Sequence, residues 1–107
     1  GTYKQPQGAM DTSGKITTTT SGDTQTVFNA GENKSNVAVN VAHDSSDGGT
    51  DYLAAVKSDS GNVYYSYNGE TPIKVGSSDD ESTLIKNGDT PETITVNGLT
   101  ATFGGES

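Results

Sequence analysis

The chain has no cysteine and no arginine, and it has few large apolar side chains. Without cysteine, no disulfide braces the fold and no thiolate chemistry is available. Its formal net charge is −8, which argues against nucleic-acid binding because phosphate neutralisation needs a basic face. No apolar run reaches the roughly 18 residues of a membrane-spanning helix, so the sequence predicts no direct membrane span.

The shortage of apolar residues limits the core. Leucine, isoleucine, valine and phenylalanine together account for 17 of the 107 residues. Ordering a residue costs about 1–2 kcal/mol, whereas burial contributes roughly 25 cal/mol per Å² of apolar surface. The length fits a single domain over residues 1–107. We expect its thin core to be completed by a partner.

The richest apolar segment predicts one strand followed by a hairpin. Val37, Val39 and Val41 alternate with smaller residues, so they share one face of a strand that begins near residue 36. Residues 52–57 and 63–67 then alternate again on either side of a reversal at residues 59–62. Gly61 suits the positive φ that such a reversal needs.

Two further hairpins are predicted, one on each side of this segment. Residues 15–20 and 24–28 form a polar hairpin around a turn at residues 21–23. The clearest turn signal is Asn97-Gly98, a type I′ dipeptide that pairs Val96 with Leu99.

The remaining segments carry weaker patterns. Residues 1–14 predict an extended N-terminal arm, residues 29–35 a loop, and residues 73–75 a short edge strand. Leu84 and Ile85 stand as isolated apolar residues. No sustained 3.6-residue period and no convincing internal repeat occur, so we predict a mostly β fold, an antiparallel meander of hairpins with little or no helix.

No catalytic constellation is recognisable, and we predict that the chain is not an enzyme and needs no cofactor. His43 is the single histidine, and no nucleophile motif accompanies it. Acidic residues cluster at Asp44, Asp47 and Asp51 and again at residues 79–81, but their spacing matches no EF-hand loop. We interpret both clusters as solvated loop charge and predict no metal site.

The segment from Asn36 to Tyr67 resembles the β-sheet domain of bacterial type IV pilins. The resemblance rests on a valine-alternating strand, a Gly/Asp loop, the sequence Tyr-Leu-Ala-Ala-Val-Lys, a Ser-Gly reversal and the sequence Val-Tyr-Tyr-Ser-Tyr. In that family an antiparallel meander packs on the C-terminal half of a long N-terminal helix. The resemblance covers about a third of the chain and consists of strand patterns rather than invariant residues.

Two features of that family are absent from this sequence: the hydrophobic N-terminal helix and the C-terminal disulfide loop. One explanation is that the chain is a truncated pilin that lacks its helix. The other is that it resembles the β-domain chain of a split pilin, as in Geobacter-like bacteria, where a short helical pilin associates with a separate β protein. The start of the chain does not resemble an interrupted helix, so we favour the split form.

The resemblance implies a structural subunit of an extracellular, cell-surface filament, periplasmic before assembly. Its partners would be a helical pilin chain and neighbouring filament subunits, with the N-terminal arm threading between subunits. The helix would lie across one apolar layer, for which we predict ten partner-binding residues: Val37, Val39, Val41, Tyr52, Ala54, Val56, Ile94, Val96, Leu99 and Phe103.

Two alternatives remain at this point. One is a secreted β-sandwich module that binds carbohydrate or calcium, in which exposed members of the set Tyr52, Tyr64, Tyr65 and Tyr67 would stack on sugar rings. This alternative predicts a stable monomer whose melting point shifts with ligand. The other is a viral or phage surface domain that forms symmetric homo-oligomers.

Overall fold

Two antiparallel sheets and a separate two-stranded ribbon make up the fold. The computed structural model describes residues 8–43, 50–87 and 90–105. Within these ranges the strands are β1 (Gly8–Ala9), β2 (Lys15–Thr20), β3 (Asp23–Asn29), β4 (Val37–His43), β5 (Thr50–Lys57), β6 (Val63–Tyr67), β7 (Ile73–Lys74), β8 (Thr83–Asn87), β9 (Thr90–Val96) and β10 (Leu99–Thr102). The predicted mostly β, antiparallel class is confirmed.

The first sheet has five strands in the order β1-β4-β5-β6-β7, and the second has three in the order β10-β9-β8. Strands β4, β5 and β6 form the meander predicted from the alternating segment, with Val39 opposite Ala54 and Ala55 opposite Tyr65. The ribbon consists of β2 and β3 alone among the described residues.

The core lies between the two sheets. Ala38, Leu53, Ala55, Val63 and Tyr65 of the first sheet pack against Ile94, Val96 and Ala101 of the second. Asn40 lies on the same side of β4 as Ala38, and its Nδ2 donates to the carbonyl of Thr100 at 2.7 Å. The second sheet therefore covers one face of the first sheet, a role that the thin core predicts for a partner chain.

The predicted C-terminal hairpin has the expected register. Val96 pairs with Leu99 and Ile94 with Ala101, and the turn residues Asn97 and Gly98 have φ of 49° and 82°. A two-residue turn with both φ angles positive matches the right-handed twist of the flanking strands.

Three segments differ from the sequence predictions or extend them. Leu84 and Ile85 are not isolated, because they belong to β8, which pairs with β9. Residues 29–35, predicted as a loop, contain most of a short 3-10 helix, Gly31–Asn36. Within the expected N-terminal arm, Gly8–Ala9 pairs with β4 and Met10 is fully buried, whereas residues 1–7 lie outside the described residues.

Candidate functional site

Six of the ten predicted partner-binding residues share one face of the five-stranded sheet. Their pairing is direct, since Val37 lies opposite Val56, Val39 opposite Ala54, and Val41 opposite Tyr52. We call this surface the valine face: Val37, Val39, Val41, Tyr52, Ala54 and Val56. It lies opposite the core face because side chains alternate along each strand.

The valine face is the more exposed side of the sheet. Tyr52 retains 40% and Val56 retains 51% of its accessible surface, and the other four residues are half-buried. On the opposite side, Leu53 and Ala55 are at most 1% exposed. Exposed valine and tyrosine side chains that adjoin one another form an apolar patch, and such patches on soluble domains mark interaction surfaces.

The other four predicted residues do not extend this layer, and that part of the prediction is wrong. Ile94 and Val96 are buried in the core between the sheets, and Leu99 and Phe103 are partly buried against the same core. The hairpin that carries them packs on the side of Leu53, so the five-stranded sheet separates them from the valine face. Phe103 lies under Lys57, whose Nζ is 5.5 Å from the ring centroid.

Small side chains explain why the less hydrophobic face of β4 is the buried one. Ala38 and Ala55 leave space for the second sheet to approach closely, and Leu53 and Tyr65 fill the space beside them. The sequence carried a signal for this, because Leu53, Val63 and Tyr65 all fall on the alanine side once the hairpin register is known.

Asn68 fixes the end of the valine face near Tyr52. The Tyr52 N–H donates to the Asn68 Oδ1 at 2.8 Å, and the Asn68 N–H donates to the Tyr52 carbonyl at 2.8 Å. Asn68 Nδ2 also donates to the Asp51 carboxylate at 2.9 Å. The Tyr52 hydroxyl lies so close to Gly69 that a Cβ there would clash with it, so the tyrosine is held against this turn.

Among the described acidic residues of the two clusters, Asp51 and Asp80 accept hydrogen bonds from neighbouring loop or turn residues. Asp44, Asp47 and the side chain of His43 lie outside the described residues. Burial is the main reason that the pKa of Tyr67 is raised, and the neighbouring charge of Asp51 raises it further. Within the described ranges, no group of three or more histidine or acidic side chains could hold a metal ion.

Asp80 organises the loop between β7 and β8. Its carboxylate accepts the Gly76 N–H at 2.6 Å and the Ser82 N–H at 2.8 Å, and it also accepts the Ser82 hydroxyl. Burial alone would raise the pKa of Asp80, but these hydrogen bonds outweigh it and lower the pKa below its ordinary value. The hydroxyl of Tyr65 accepts the Glu81 N–H at 3.1 Å, which ties the loop to the core.

An open depression lies beside this loop, lined by residues 70–74 with Ser77 and Asp79. It is shallow, and its charged side chains, Glu70, Lys74 and Asp79, are exposed. Ligand sites enclose most of their ligand, so the valine face remains the stronger candidate.

Comparison of the chain with protein-family models, characterised proteins and solved structures found no match. In the described part of the chain, no helix is long and apolar enough to cross a membrane. The surfaces of this molecule are therefore the basis for inferring its function.

Proposed function

We propose that the chain is a structural, non-catalytic subunit of an extracellular type IV pilus-like filament, and that its valine face docks on a helical partner chain. The observation that supports this most directly is the valine face itself. It presents three valines in a row along β4 beside Tyr52 and Val56, which are among the most exposed large apolar residues of the described chain.

The charge distribution favours an apolar partner at this surface. None of the six residues of the valine face is charged, although the chain carries a net charge of −8. An amphipathic helix presents an apolar stripe of comparable shape, and each Å² of apolar surface that it covers contributes roughly 25 cal/mol. The partner thus stabilises a domain whose own core is small.

The remaining surface suits the outside of a filament. A net charge of −8 on each subunit keeps a filament hydrated and disfavours non-specific association. In this proposal the subunit is periplasmic before assembly and extracellular afterwards, and the helical partner provides the connection to the filament axis.

The test compares two exposed aliphatic residues of similar exposure on different sheets. Val56 belongs to the valine face and is 51% exposed, whereas Ile85 of β8 is 57% exposed. Cells that produce Val56→Asp should assemble filaments from which this chain is missing, because docking would bury an unpaired carboxylate. Ile85→Asp should be incorporated as the unmodified chain is.

Filaments sheared from the cells are purified, and their subunits are quantified by mass spectrometry. Circular dichroism of the two purified variants checks that both fold. If filaments of the unmodified strain lack this chain, or if both variants are incorporated equally, the proposed function is wrong.

A second candidate function is carbohydrate binding, and one observation favours it. Tyr52 is exposed on the valine face, and Tyr64 lies half-buried on the same face beside Val56. Tyrosine rings on an open sheet face can stack on sugar rings. In that case soluble oligosaccharides raise the melting temperature of the purified chain, and Tyr52→Ala abolishes the shift.

A further inference from the structure

Two hairpins of this chain share one ten-residue sequence pattern, a short repeat that the sequence predictions above missed. Residues 17–26 read TTTTSGDTQT and residues 93–102 read TITVNGLTAT. Both follow Thr-x-Thr-x-(Ser/Asn)-Gly-x-Thr-x-Thr with identical spacing. Their turns also match, since Ser21 and Gly22 have φ of 53° and 85°, close to the angles of Asn97 and Gly98.

The threonines occupy equivalent places in the two hairpins. Thr19 pairs with Thr24 in the first hairpin, and Thr95 pairs with Thr100 in the second. Each pair is joined by a hydrogen bond between the two Oγ1 atoms, at 2.8 Å in the first and 2.6 Å in the second. The β2–β3 ribbon and the β9–β10 hairpin are therefore two versions of the same local structure.

The residues between the threonines determine whether each hairpin contributes apolar side chains to the core. In β9–β10 these are apolar, and Ile94 and Val96 enter the core. In β2–β3 the equivalent positions include Thr18 and Gln25, so the ribbon offers no comparable apolar face. Residues 21–26, at its tip, are exposed.

The two hairpins also differ in their neighbours. Strand β9 carries an antiparallel third strand, with Thr83 of β8 opposite Thr95. Its counterpart β2 pairs only with β3 in the described part of the chain. A two-stranded ribbon alone is marginally stable in water, and a third strand is what usually stabilises it.

The outer edge of β2 presents backbone hydrogen-bonding groups that can pair with another strand. In a hairpin with a two-residue turn, the residues flanking the turn form a hydrogen-bonded pair, and such pairs alternate along the strands. The backbone groups of Thr17 and Thr19 consequently point away from β3. Proteins commonly protect such edges with lysine, proline or bulges. Between residues 17 and 26 there is no lysine or proline, and the ribbon's bulge lies at its base, between Ile16 and Thr17.

We propose that β2 pairs antiparallel with β2 of a second copy of this chain. The two-fold axis passes beside Thr18, so that Thr17 of each copy lies opposite Thr19 of the other. Such an isologous contact joins two ribbons into one four-stranded sheet.

A second copy fits this edge because β2 is uncharged and can lie against itself. Two chains of net charge −8 repel each other as whole molecules, but residues 16–22 carry no charged side chain, so no like charges face each other along the paired strands. Strand β3 is less suitable, because it carries Asp23 and also the extra residue of the bulge, Val27. The contact does not depend on whether the valine face docks a helix.

Disulfide trapping tests the contact directly, because the chain has no cysteine of its own. Across the proposed axis the two Thr18 residues form a non-hydrogen-bonded pair, whose Cα atoms lie about 4.5 Å apart. That separation lies within the range of disulfides. The matched variant is Gln25→Cys, at the position opposite Thr18 in the same ribbon.

Under mild oxidation, Thr18→Cys should form covalent dimers several-fold faster than Gln25→Cys. Exposure alone predicts the reverse order, because Thr18 is half-buried and Gln25 is exposed. Equal rates, or faster dimerisation of Gln25→Cys, would overturn the proposal.

A second substitution tests whether the backbone carries the contact. Adding Thr19→Pro to Thr18→Cys removes an outward N–H and should reduce the rate of dimerisation to that of Gln25→Cys. Adding Thr19→Ala removes the same side chain but keeps the N–H, and it should leave the rate high. If Thr19→Pro has no effect, β2 pairing is excluded. Circular dichroism confirms that the variants retain the folded core.

Discussion

Single residues fix the connections between the sheets, and Asp80 is the clearest case. Its carboxylate accepts hydrogen bonds from the Gly76 and Ser82 N–H groups, which closes the loop between β7 and β8. Tyr65 receives the Glu81 N–H from the same loop. Burial raises the pKa of Tyr65, as expected for a phenol at the edge of a core. The loop therefore depends on a charged carboxylate next to a neutral hydroxyl.

The first prediction concerns acid stability. The pKa of Asp80 is lowered in the folded chain, so its contribution to stability is present above its unfolded pKa and is lost as pH falls through the folded pKa. Because the Asp80 side chain is only half-buried, Asp80→Asn should lower the free energy of unfolding at neutral pH by about 0.5–1.5 kcal/mol. The difference from the unmodified chain should vanish in strong acid.

Urea unfolding at neutral and acidic pH measures this difference. Asp79→Asn is the control, because Asp79 is the adjacent exposed carboxylate, and it should change stability by less than about 0.5 kcal/mol. A deficit of Asp80→Asn that persisted undiminished in strong acid would show that the charge is not responsible.

At the scale of elements, turn chemistry was the most predictable feature. Asn97-Gly98 alone was enough to set the register of β9 and β10, because a two-residue turn fixes which residues lie opposite one another. Strand β8 was not predictable in the same way. It is an edge strand in which Leu84 is half-buried and Ile85 is exposed, so two adjacent apolar residues hid the alternation.

The second prediction uses the equivalent glycines of the two hairpins. Gly22 and Gly98 have φ of 85° and 82°, and a Cβ at either position meets no other atom within 4 Å. Substitution by alanine therefore introduces backbone strain of about 1–2 kcal/mol without a clash. Gly98→Ala should lower global stability by that amount, because β9 and β10 contribute to the core.

Gly22→Ala should leave global stability nearly unchanged, because the described side chains of residues 17–26 around this turn contribute little burial and the segment can open locally. Urea unfolding gives the global values, and amide exchange of residues 17–26 reports the local opening. Equal losses of global stability in both variants would mean that the ribbon unfolds together with the core.

At the scale of the whole molecule, the sequence was sufficient for most of the strands, though not for β1 and β8, and it was not sufficient for the packing of the sheets. Period-two alternation placed the six residues of the valine face together, as the register of β4 and β5 confirms. It could not decide which face of the sheet would be covered. That choice depends on the packing of residues such as Leu53 and Ile94 into one core, and these residues lie far apart in the sequence and belong to different hairpins.

The third prediction separates the core of the monomer from the proposed docking surface. Leu53 is fully buried between the sheets, so Leu53→Ala removes a core side chain and should cost about 2–5 kcal/mol. Val39 is half-buried on the opposite face of the same sheet. Val39→Ala should cost the isolated chain less than about 1.5 kcal/mol, because less apolar surface returns to water.

The effects of the two variants on incorporation into filaments should not follow their effects on the stability of the monomer. If a helix covers the valine face, Val39→Ala weakens docking and lowers the amount of this chain in sheared filaments, although the monomer remains folded. Leu53→Ala lowers the amount of this chain in filaments only to the extent that the substitution unfolds the subunit. Urea unfolding of the monomers and mass spectrometry of the filaments measure the two quantities separately. A larger stability loss for Val39→Ala than for Leu53→Ala in the isolated chain would place the core on the valine side and contradict the two-sheet packing.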